Sequence, residues 1–272
     1  MAELSDIRPS AVAGMFYPAE AKTLAREIHG YLSATEPSTA SIPKALIVPH
    51  AGYAYSGPIA ACAYALLAPA RESIRRVVLL GPAHRVPVRG LALPVAGAFA
   101  TPLGTVEIDA EAATAALKLP QVSKSDLAHG FEHSLEVQLP FLQTVLADFR
   151  IVPFAVGAAN AEQAAEVIDL LWGGPETLIL VSSDLSHYHG YAAARGMDSG
   201  TAQEILSLSP RIEHEQACGA TPINGLLLCA RRHGLKAELL DLRNSGDTAG
   251  DRSRVVGYAS FAFRAEASHG RG

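Results

Sequence analysis

Runs rich in Val, Ile and Leu recur along this chain with stretches of helical make-up between them, and that alternation limits the fold more than any other feature. The runs are Ala45–Pro49, Arg76–Gly81, Arg150–Val156, Thr177–Ser183 and Ala237–Leu242. Most are near-continuously apolar, the habit of strands covered on both faces in a parallel sheet. Helical patterns fill the intervals at Pro58–Leu67, Ala110–Leu117, Leu135–Leu146, Ala161–Leu171, Tyr191–Leu208 and Pro222–His233. The last closes on two arginines, a histidine and Gly234, cations followed by a stop. Strand and helix in turn predict an α/β fold, one layered domain over residues 1–272 with a largely parallel central sheet flanked by helices. Ser253–Phe263 alternates better and reads as a partly exposed or an edge strand. Val88–Glu107, rich in Gly, Pro and small residues, reads as an excursion of hairpin type. The end of the chain, from about residue 265, reads as a frayed tail.

Charge narrows the partners. A net charge of -5 and 22 Lys and Arg without a basic cluster argue against nucleic acid or an anionic membrane. No apolar stretch approaches the roughly 20 residues that span a bilayer. The N-terminal segment lacks a basic region followed by an apolar core, so no signal peptide is read. The three cysteines, Cys62, Cys218 and Cys229, are too few and scattered for a disulfide framework, and a cytoplasmic protein is expected.

Ligands of open α/β sheets bind beyond the carboxyl ends of strands, which gives the histidines meaning. His50 follows Pro49, His84 follows Gly81, and Asp184, His187 and His189 follow Ser183. One histidine at a strand end is ordinarily a satisfied polar residue. Three at equivalent places favour a metal centre, because neutral imidazole is the commonest metal-binding side chain. The late loop Arg243–Arg254 can bring Asp247 or Asp251 to the same rim, which would give two histidines and a carboxylate, the pattern of non-haem Fe(II) sites. The same loop also reads as a solvated Gly/Asp turn.

Other signals are set aside. His129–His133 matches H-x-x-E-H, but Gly130 lies between the histidines and Ser134 looks like the N-cap of the following helix, so a zinc-protease pair on one helical face is not expected. Glu132 and His133 can still line a pocket; Glu136 suits the first turn of a helix. Ser182 or Ser183 with Asp184 and His187 does not define a hydrolase triad, since G-x-S-x-G is missing. Tyr53, Tyr55 and Tyr188 are candidate substrate contacts or ordinary half-buried tyrosines. Cys218 reads as a buried inert thiol, and no nucleotide-binding glycine motif is present.

In order along the chain stand AGMFYP, VPHAGYAYSG, LLGPAHRV, TPLGTVEID, EHSLEVQLPFL, SSDLSHYH, CGATPI and NSGDTAGDRSRVVGYASF. Together they resemble the Memo family, also described as AmmeMemoRadiSam system protein B, and the likeness runs nearly end to end. It implies a fold similar to class III extradiol dioxygenases, which hold Fe(II). It implies His50 and His84 as metal ligands, with His187 and Asp184 beside them. Animal members place a cysteine in the late loop; here Asp247 takes that place as the expected third ligand. Two imidazoles and a carboxylate favour Fe(II), with Zn(II) and Mn(II) next, over Cu(I). His187, Asp184 and His133 are then the candidates for acid–base work or substrate contact. The expected ligand is a small molecule or peptide. The resemblance adds a radical SAM protein and an AMMECR-like protein as partners. Oxidoreductase chemistry is the first functional expectation, and a non-catalytic binding or scaffold role in the same cleft the alternative.

Overall fold

The computed structural model describes residues 7–36 and 41–265; the tail expected from about residue 265 lies outside them, apart from Ala265, which ends the last strand. In chain order the strands are β1 (Ile7–Arg8), β2 (Ala45–Val48), β3 (Arg76–Pro82), β4 (Leu91–Leu93), β5 (Ala98–Thr101), β6 (Gly104–Glu107), β7 (Val122–Lys124), β8 (Arg150–Val156), β9 (Thr177–Ser182), β10 (His187–His189), β11 (Leu235–Asn244) and β12 (Val255–Ala265). Nine of them form one sheet whose middle runs β2-β9-β3-β8, and β1, β5 and β6 form a small second sheet. The middle strands are all parallel, with Val48 level with Ser182 and Leu80 level with Val181.

The apolar runs become central strands because both faces are covered. Ala45 and Ile47 of β2 join one core with Val78, Leu80, Ile179 and Val181. Leu46 and Val48 join the opposite core with Val77, Leu79, Leu178 and Leu180. The helices Ala161–Leu170, Tyr191–Leu206 and Ala220–Arg232 contribute to the first core; Ala21–Ser33, Tyr53–Tyr64 and Leu139–Val145 contribute to the second.

Several elements depart from the expected boundaries. Ser253–Phe263 is no edge strand: Phe261 pairs with Leu239 of β11 and with Ile47 of β2, so β12 is paired on both sides and largely buried. β11 takes the exposed role instead. The alternation reported which residues are small, not which are wet. Val88–Glu107 divides its work, β4 joining the main sheet beside β8 and β5–β6 forming a hairpin. The helix expected from Pro58 starts at Tyr53, whose N–H is held by the Phe16 carbonyl at 2.7 Å. Ser134 caps no helix. Its hydroxyl donates to the Pro82 carbonyl at 2.9 Å, and the α-helix begins at Leu139 after a 3-10 turn at Glu136–Gln138. Ser125 caps a short helix, Asp126–Gly130, that the periodicity did not show.

Glu136 does stand in a first turn, that of the 3-10 helix, but as a buried anchor. It is fully buried and accepts from Arg8 Nη1 and Tyr17 Oη at 2.5 Å each, from the Ala11 N–H at 2.7 Å and from the Val12 N–H at 3.0 Å. Arg8 uses its other nitrogens on the carbonyls of His129 and Glu132, both at 2.7 Å. This knot ties the N-terminal segment to the strand-end loops. Breaking a buried pair leaves a buried charge alone, at about 3–5 kcal/mol. Glu136→Leu is therefore expected to lower the free energy of unfolding by about that amount in urea titrations, and a loss below about 1 kcal/mol, the range of exposed pairs, would contradict the role given to the knot.

Candidate metal centre

β2, β9 and β3 are neighbours that end on one rim, and each delivers side chains there. His50 follows β2 and is 2% exposed; Asp184 follows β9; His84 follows β3. The β3 end lies hard against the Glu132–Ser134 loop, since a Cβ on Gly81 would stand 2.8 Å from Ser134 Oγ. That approach adds His133. Ring centroids lie 5.3 Å apart for His50 and His84, 5.4 Å for His50 and His133, and 4.8 Å for His84 and His133. One nitrogen from each ring falls within 4.8 Å of the other two. Phe16 covers His133, with centroids 4.8 Å apart.

Glu132 organises two of the three rings. It is 1% exposed and accepts from the His84 N–H at 2.5 Å, His84 Nδ1 at 2.9 Å, and the N–H groups of His133 and Ser134 at 2.9 Å. Burial pushes its carboxyl up, but the bonds from His84 and Ser134 outweigh burial and hold it at about 2. His84 thus gives its Nδ1 proton to a carboxylate, which leaves Nε2 for a metal, the usual carboxylate–histidine–metal arrangement. Burial, then the neighbouring rings, depresses His50 to about 3 and His133 to about 4, so both are neutral, as metal ligation requires.

Around His50 Nε2 stand Cys218 Sγ at 3.4 Å and Asp184 Oδ2 at 4.0 Å. Asp184 Oδ1 accepts the His50 N–H at 2.7 Å. Burial raises Asp184 despite that bond, and it raises the Cys218 thiol to about 12. His187 is half-buried on β10, three residues after Asp184. Tyr188 beside it is 64% exposed, at a positive φ of 62°.

The expected third ligand, Asp247, is held elsewhere. Its Oδ1 accepts from Tyr191 Oη at 2.5 Å and its Oδ2 from the Asn244 N–H at 3.1 Å, where it closes a capping box on the turn Ser245–Asp247. Asp251 bonds the Ser253 N–H at 2.7 Å. The Gly/Asp loop satisfies itself, and among the described residues the three-membered cluster is His50, His84 and His133. His129 and His133 do not act as a pair either. His129 faces the Ala92 carbonyl through Nε2 at 2.8 Å and packs on Phe99. The place of His133 in the cluster went unread because its signal is three-dimensional: the Glu132–Ser134 loop meets β3 only in the fold.

A mixed sheet with a parallel centre, covered on both faces and carrying imidazoles and an ordered carboxylate at the carboxyl rim of that centre, defines an α/β protein built around a candidate metal centre. Comparison with known proteins places it further: residues 8–262 match the family model described as Memo-like protein, and the chain belongs to that family. It is 37% identical to a MEMO1 family protein of Methanopyrus kandleri over 94% of this chain and 99% of that one. It is 38% identical to one of Archaeoglobus fulgidus over 95% and 100%, and 36% identical to one of Aquifex aeolicus over 94% and 99%. The fold is similar to the crystal structure of an uncharacterized Escherichia coli protein, with a TM-score of 0.54 at 15% identity, over 81% of this chain and 99% of that one. Among the described residues no helix is long and apolar enough to cross a membrane.

His129 yields a pH test away from the cluster. Burial depresses it to about 4 against 6.5 when unfolded. Unfolding therefore takes up its proton between those values. Its contribution to stability is complete above pH 6.5 and falls as the pH drops toward 4, by up to about 1.4 kcal/mol per pH unit. Urea titrations at pH 7 and pH 5 should show a smaller pH dependence in His129→Gln than in the wild type; equal dependence would contradict the assignment.

Proposed function

We propose that the protein binds a divalent metal through His50, His84 and His133 and carries oxidoreductase chemistry on a small substrate, with Fe(II) as the metal. The observation that supports this is the meeting of one nitrogen from each of three imidazoles within 4.8 Å, one ring held by a buried carboxylate. Ligand nitrogens about 2.0–2.1 Å from a common ion would gather from that spacing by modest ring rotation. Three imidazoles suit Fe, Zn and Cu alike, so zinc-assisted hydrolysis is the rival reading. A bound metal would supply Lewis acidity and, for iron, electron transfer.

The chain's own groups shape the rest. Asp184 Oδ1 holds the His50 backbone, while Oδ2 faces His50 Nε2. A carboxyl raised by burial can keep a proton there and deliver it to substrate. His187, half-buried beside the exposed Tyr188, suits proton exchange between the rim and solvent. Tyr188 and Tyr55, exposed by 64% and 40%, offer aromatic faces to an incoming ligand.

Anaerobic calorimetric titration of metal-free protein with Fe(II), Zn(II) and Mn(II) tests this. The wild type is expected to take one equivalent. His50→Ala, His84→Ala and His133→Ala should each weaken binding by more than the roughly 10–100-fold of a lost outer partner. Asp247→Ala and His129→Ala should leave it nearly unchanged. Absence of saturable binding by any of the three metals would overturn the proposal and leave a ligand-binding cleft in its place.

A further inference from the structure

We propose that Ser182 is a positioning residue that decides which nitrogen of His50 carries the ring proton. The proposal rests on the metal reading for its purpose, though not for its evidence. Ser182 ends β9 and is fully buried. A serine hydroxyl has one proton and two lone pairs. Here the proton goes to the Ser134 carbonyl oxygen at 2.5 Å, a group that can only accept. The two lone pairs face Gln138 Nε2 at 2.8 Å and His50 Nδ1 at 2.9 Å.

The amide of Gln138 cannot be turned the other way. Its Nε2 also donates to the Pro49 carbonyl at 2.9 Å, and its Oε1 accepts from Tyr64 Oη at 2.7 Å. A reversed amide would set two oxygens against each other at Pro49. With the amide fixed, Ser182 has no second proton to offer His50. The contact is a hydrogen bond only if His50 Nδ1 bears the proton, and Nε2 is left with its lone pair toward the cluster, where Cys218 Sγ and Asp184 Oδ2 lie. The chain Tyr64–Gln138–Ser182 thus does by hydroxyl for His50 what Glu132 does by carboxylate for His84. Two rings are preset for a metal by unrelated devices, so each serves as the control for the other.

Metal-free protein labelled with 15N-histidine reports the tautomer of each ring through two-bond proton–nitrogen correlations near pH 7.5. Wild-type His50 is expected to carry its proton on Nδ1. In Ser182→Ala, His50 should populate the form protonated on Nε2 while His84 is unmoved. Affinity for Zn(II) added alone should fall about 10–100-fold, as for lost partners of other ligating histidines. Ser182→Thr, which restores the hydroxyl, should keep the wild-type tautomer. Wild-type His50 protonated on Nε2 overturns the proposal, and that spectrum needs no variant to fold. An unchanged His50 tautomer in Ser182→Ala overturns it as well. A protein that takes up no zinc but shows the His50 switch refutes the metal centre and upholds the role of Ser182.

Discussion

Parallel pairing of β2, β9 and β3 sets the ends of three strands side by side, at the roughly 4.8 Å spacing of a sheet. Everything at the candidate centre follows from that. The pairing is stable because alternate side chains of each strand enter one of two dry cores. Residues just past the pairing have left the ladder but not the interior, so their polar groups need partners from nearby loops. His50, Asp184 and the Glu132–Ser134 loop answer one another: Asp184 Oδ1 accepts from the His50 N–H, and the Ser134 carbonyl accepts from the Ser182 hydroxyl. The site's geometry is therefore in part a by-product of satisfying buried groups at the carboxyl ends of these central strands, beside the exposed His84.

Burial and charge are balanced with little slack. A buried carboxylate is tolerated only when donors surround it. Glu132 and Glu136, four residues apart, each have four. Glu136 spends its donors on holding the N-terminal segment, which carries Phe16 onto His133. Glu132 holds His84 and the turn from which His133 projects. One short loop thus joins the scaffold to the chemistry, and His133 Nδ1, 3.4 Å from Glu132 Oε1, is among the few buried side-chain atoms of the described residues that make no hydrogen bond.

The layered α/β fold was legible because β-branched runs and helical patterns alternate, and parallel strands with two covered faces leave no polar trace. His50, His84, Asp184 and His187 were legible as a rim because the rule for open sheets needs only strand ends. Asp247 was expected as a third ligand; in the structure Tyr191 and Asn244 hold its carboxylate locally, a partnership that composition does not reveal. His133 lay inside a motif that resembles a helical zinc site but is split between a short helix and a loop. Ser182 drew notice only within a triad pattern that was set aside; its partners, Gln138 and Ser134, come from a segment more than forty residues earlier. Long-range hydrogen bonds of this kind have no periodicity to betray them.

Membership in the Memo-like family gives the chain its relatives, while the chemistry depends on which atoms meet a metal. X-ray absorption on the zinc-loaded protein tests that most directly. A shell of three imidazole nitrogens at about 2.0–2.1 Å, completed by a light atom, is the predicted result. A shell with two imidazoles or fewer, or one dominated by sulfur at about 2.3 Å, would contradict the centre built from His50, His84 and His133.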